Sequence, residues 1–65
     1  MQIKIVSTLY VDNKRFNIGD HIEVETNHNN IIEGEILALF HDKIVIGKEL
    51  ELPYWIELIN IARIQ

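Results

Sequence analysis

Four carboxylates, Glu23, Glu25, Glu33 and Glu35, alternate with apolar residues in two short stretches, Ile22-Glu23-Val24-Glu25 and Ile32-Glu33-Gly34-Glu35. If residues 21–26 and 31–36 pair as a hairpin, all four project from the face opposite Ile22, Val24 and Ile32, some directly across from one another. Like charges so placed repel. Their presence fits a surface for a basic partner or a hard cation such as calcium, and it also fits a charged outer face that keeps a sticky hairpin soluble. His21, His28 and His41 lack the close spacing of a strand or helix chelate, and the chain has no cysteine. A zinc site with three or four converging ligands is therefore not expected. The only serine is Ser7, and neither a Gly-x-Ser-x-Gly elbow nor a glycine-rich phosphate loop is present. The sequence predicts a chain with no catalytic residue, no cofactor and no metal.

The aromatic residues point to binding. Tyr54-Trp55 directly after Pro53 is the best candidate for a protein-binding surface, because Trp and Tyr are frequent interface anchors. The competing role for Trp55 is to cap one open end of a small core. A second set, Tyr10, Lys14, Arg15 and Phe16, combines aromatic faces with two cations and suits RNA or single-stranded nucleic acid. Ten acidic against six basic side chains, a net charge of −4, disfavour nucleic acid as a partner, and duplex DNA most of all.

The elements that carry these residues read as strands. Apolar positions alternate with polar ones in Ile3-Lys4-Ile5, in His21 to Thr26 and in Ile32 to Ile36, the period imposed by a pleated strand. Gln2 to Val11 reads as one strand-forming segment. Asp12-Asn13 tolerates the left-handed backbone of a two-residue turn and predicts a hairpin that brings Lys14-Arg15-Phe16 back on Leu9 to Val11. Asn27 to Asn30 is a polar loop before the longest strand, Ile31 to Phe40. In that strand Ile32, Gly34, Ile36, Ala38 and Phe40 share a face, and the bend is placed at Gly34. Lys43 to Gly47 comes after the His41-Asp42 turn, and Leu50 to Trp55 reads as an edge stretch limited by Pro53. A short helical turn over Glu57 to Asn60 leads into a last strand, Ile61 to Ile64.

This pattern predicts an all-β fold, a small SH3-like antiparallel barrel occupying residues 1–65 as one domain. Through Ile18-Gly19-Asp20, Glu33-Gly34-Glu35-Ile36 and Ile56-x-Leu58-x-x-Ile61 it resembles the SH3-like and Sm-like small barrels. The resemblance implies five bent strands with a helical turn before the closing one, and a peptide groove lined by aromatics beside a proline. It does not extend to the Sm route to RNA: Gly34 and Asp42 are too far apart, no Asn follows Asp42, and the Arg-Gly pair is missing. A domain of 65 residues buries only about 60% of its unfolded surface, so self-association is expected to add stability. No apolar run is long enough to span a bilayer and no signal-peptide pattern occurs. The chain is expected in the cytoplasm, with a protein partner or a second copy of itself.

Overall fold

The computed structural model describes residues 2–65. The alternating stretches form strands as their period requires. His21–Thr26 is β4 and Ile31–Leu39 is β5, after β1 (Ile3–Ile5), β2 (Leu9–Val11) and β3 (Lys14–Phe16). They are followed by β6 (Lys43–Gly47), β7 (Tyr54–Glu57), a 3-10 turn (Leu58–Asn60) and β8 (Ile61–Ile64). Two antiparallel sheets result. One has the order β1-β2-β3; the other has the order β7-β6-β5-β4-β8 and curls into a half-barrel. No helix among the described residues is long and apolar enough to cross a membrane.

Turn chemistry joins the strands. Asp12 takes the left-handed backbone (φ 53°) at the β2–β3 turn, and its carboxylate accepts the Gln2 N–H at 2.9 Å. Asn17 to Asp20 is a turn closed by the Asp20 N–H donating to the Asn17 carbonyl at 3.0 Å, with Gly19 at φ 98°. A positive φ at the third turn position selects glycine. The next two backbone bonds, between Gly19-Asp20 and Ile36, carry the ladder of β4 past its first residue.

The inward positions of both sheets make one core. Ile22, Val24, Ile36, Ile44, Ile46, Ile56, Ile61 and Ile64 come from the five-stranded sheet, and Leu9 and Val11 close over them from the three-stranded one. Ile3, Ile5 and Phe16 pack at its margin. Phe16 pairs with Leu9 and shares its inward direction, so it is not free to stack on a base.

Three expectations need correction. Gln2 to Val11 is two strands, because the chain bends at residues 6–8. The polar pair Ser7-Thr8 allows the break, and the Val6 N–H bonds the Thr8 carbonyl at 3.2 Å. The register of β5 breaks between Ile36 and Ala38, so the two-residue period does not run through to Phe40, whereas the pairing of Gly34 with Ile22 is regular. Gly34 marks a close approach: a Cβ there would overlap the Gly47 carbonyl oxygen and stand 2.6 Å from Ile46 Cγ2. The extra residue, Leu37, reverses the facing of the residues after it. Leu39 packs against the core, and Ala38, paired with Val45, stands on the outer side with Phe40. Finally, Leu50 and Leu52 lie in an exposed loop rather than a strand, with Leu50 left-handed (φ 65°) and 99% exposed.

Candidate functional site

Register places the outer face of β5, β6 and β7 residue by residue. Ala38 opposes Val45, and Val45 opposes Trp55. Trp55 is 64% exposed, whereas Val45, on the same outer side between its two partners, is only 5% exposed. An outward valine is shielded to that degree only when larger neighbours lie over it. Two such neighbours are at hand: Phe40 stacks on Trp55, with ring centroids 5.8 Å apart and planes 13° from parallel. Offset stacking at this distance adds to area burial. Leu37 and Phe40 are each about two-fifths exposed (43% and 42%), so the face is apolar and open. One end is bounded by the opposed pair Lys43 and Glu57.

β7 is an edge strand, so one side of its backbone is free of ladder bonds. A groove of about 390 Å³ runs along Trp55, Ile56 and Glu57, with His28, Asn30 and Asn60 on its other wall. Pro53 immediately precedes the strand, as expected of a residue with no amide hydrogen.

Trp55, Tyr54 and Pro53 do not converge on one surface. Successive strand residues face opposite ways, and Tyr54 opposes the inward-facing Ile46. At this rim its hydroxyl donates to Glu51 Oε1 at 3.2 Å. Trp55 does not cap the core. Its neighbour in the site is Phe40, which the two-residue period of β5 places on the wrong face unless the extra residue at Leu37 is known.

Compared with known proteins, the chain matches no family model, no curated protein and no solved structure.

The four glutamates do share the outer face of β4 and β5. Glu23 opposes Glu33 directly. Both the N–H and the C=O of Glu23 bond Gln65, at 2.8 Å each, so its pairing with Glu33 is the narrow, non-hydrogen-bonded kind, with Cα atoms about 4.5 Å apart. Two side chains lie against these carboxylates. His21 Nε2 is 3.6 Å from Glu33 Oε2, and Arg63 is 3.1 Å from Glu25 Oε1. Among the described residues no group of three or more His, Asp or Glu is arranged to hold a metal ion. His28 and His41 are exposed in loops, remote in sequence and register from His21.

Of the second aromatic set, Tyr10 and Arg15 are cross-strand partners on the exposed side of the three-stranded sheet. Lys14 sits at the β2–β3 turn, and Lys4, not singled out by sequence, lies on the other side of Tyr10.

Proposed function

We propose that the chain is a non-catalytic interaction module of SH3-like topology, which binds an extended segment of a protein partner at Trp55 and Phe40. The likeness rests on connection order: a meander of four strands, a 3-10 turn, and a fifth strand that returns to pair with the first. The observation that carries the function is the Phe40–Trp55 stack on the outside of the sheet. Large rings held on a solvent-facing side beside a free strand edge add nothing to the closed core, and they present a pre-ordered apolar anchor. A partner strand has backbone groups for β7 and a side chain for the stack. A second copy offering its own β7 meets this description, and a two-fold pairing is the simplest form of it.

The test is Trp55→Ala and Phe40→Ala, with circular dichroism and partner capture from nuclease-treated extract run on the same preparations. Both variants are expected to stay folded, because neither ring belongs to the core. Loss of a buried anchor costs about 2 kcal/mol or more in binding, so both should release the partner, whereas Tyr54→Phe should retain it. Light scattering at high micromolar concentration identifies a self-pair as a dimer that Trp55→Ala dissolves. A folded Trp55→Ala protein that captures its partner at full strength refutes the proposal.

A further inference from the structure

Charge is divided unequally between the two sheets. Residues 2–18 carry Lys4, Lys14 and Arg15 against Asp12 alone, while the rest of the chain carries nine acidic side chains against Lys43, Lys48 and Arg63. The three N-terminal cations are also free. Among the described residues, every ion pair involves His21, His41, Lys43 or Arg63, and none involves Lys4, Lys14 or Arg15.

Register sets two of these cations in line with an aromatic ring. Lys4 opposes Tyr10 on β1–β2, and Tyr10 opposes Arg15 on β2–β3. Leu9 and Val11 point into the core, so Lys4, Tyr10 and Arg15 form a row on the outer face, with Tyr10 38% exposed. Adjacent strands are about 4.8 Å apart, which puts one cation on each side of the ring within reach of the phosphates that flank a stacked base. Lys14 pairs with the inward-facing Val11 and so lies on the other side of the sheet, at a shallow groove of about 370 Å³ between the β2–β3 turn and β8 whose walls include Asp12 and Arg63.

We infer that the outer face of the three-stranded sheet binds single-stranded nucleic acid, with one base stacked on Tyr10 and the adjoining phosphates met by Lys4 and Arg15. The face complements that ligand in two ways at once: an open aromatic surface for a base and unpaired cations for a polyanion. Two cations are too few for strong duplex binding, and the acidic sheet behind them repels a wider footprint. An acidic protein surface would use the two charges and leave the ring uncovered. This site is separate from the Trp55 face, and either can fail without the other.

Fluorescence anisotropy with labelled oligouridylate and oligothymidylate of about 12 nucleotides tests it, a length within the usual single-strand footprint. Tyr10→Ala is expected to weaken binding about 5- to 150-fold, the range for one lost base stack, and Tyr10→Phe to preserve it. Lys4→Ala with Arg15→Ala should reduce the slope of log K against log salt by about 0.7 for each cation. Thermal melts confirm that these outward substitutions leave the fold intact. Uridylate binding without thymidylate binding, or the reverse, supports the site, and oligodeoxyuridylate, which differs from oligouridylate in the sugar alone, then assigns its sugar preference. The inference is overturned by no anisotropy change with either oligomer, by equal affinity of Tyr10→Ala and the unsubstituted chain, or by a cation double variant whose only effect is to dissolve a self-assembly through the Glu23–Glu33 face.

Discussion

Replacing Gly34 with alanine tests a close backbone approach in the half-barrel. The added Cβ overlaps the Gly47 carbonyl oxygen, stands 2.6 Å from Ile46 Cγ2 and lies 3.1 Å from the Gly47 carbonyl carbon. Two of those atoms are backbone of β6, and Ile46 is fully buried, so neither neighbour can move without disturbing the core. Overpacking of this kind costs about 1–3 kcal/mol, offset by about 0.4–1 kcal/mol because alanine restricts the unfolded chain. A net loss near 1–2 kcal/mol is a large part of the 3–10 kcal/mol, roughly, that a 65-residue domain holds. At about 2.1 cal/mol/K per residue, the unfolding entropy is ~0.14 kcal/mol/K, so each kcal/mol lowers the melting temperature by about 7 °C. Gly34→Ala should therefore melt about 7–15 °C below the unsubstituted chain. Gly47→Ala is the internal control. Its Cβ meets only the Leu37 side chain, which is partly exposed and can rotate away, so its loss should stay below about 1 kcal/mol. Thermal and urea melts followed by circular dichroism measure both. The reasoning fails if Gly34→Ala melts with the unsubstituted chain, or if Gly47→Ala is the more damaging change.

Glu23→Lys converts the direct Glu23–Glu33 opposition into an opposite-charge pair and should stabilise the hairpin by about 0.2–1 kcal/mol. The gain should appear as a higher urea midpoint that shrinks with added salt. Ile44→Ala removes a fully buried side chain from β6 and should cost about 2–5 kcal/mol. In a domain this small that leaves little or no folded protein, which loss of the far-ultraviolet strand signal at room temperature would record.

Much of the fold is legible where physical chemistry leaves one choice. Asp12-Asn13 specifies a two-residue hairpin, and alternation in residues 21–26 and 31–36 fixes which side chains enter the core and which glutamates oppose. It fails at Ile36-Leu37-Ala38-Leu39, four apolar residues in succession that have no period and so cannot announce an inserted residue. Everything about the Phe40–Trp55 site depends on that insertion. Leu50 and Leu52 alternate like strand residues, but the bend around Lys48 to Glu51 leaves them in solvent. Tyr54 and Trp55, adjacent in sequence, face opposite ways because they share one strand. The Lys4–Tyr10–Arg15 row is beyond local reading altogether: it arises from two registers, and β1 is separated from β2 by a bend with no turn signature.

The pairing of β8 with β4 has a kinetic meaning. Val24 opposes Ile64 across some forty residues of chain, whereas the β2–β3, β4–β5 and β5–β6 hairpins close over short loops. Local hairpins form in microseconds, but a contact this distant must overcome the entropy of ordering everything between before it is rewarded. Closure of β8 is then the slow step, and until it occurs β4 has one unpaired edge beside Val24. On a ribosome this edge stays open until β8 has left the exit tunnel, so it is then that the nascent chain is most exposed to pairing with the wrong neighbour.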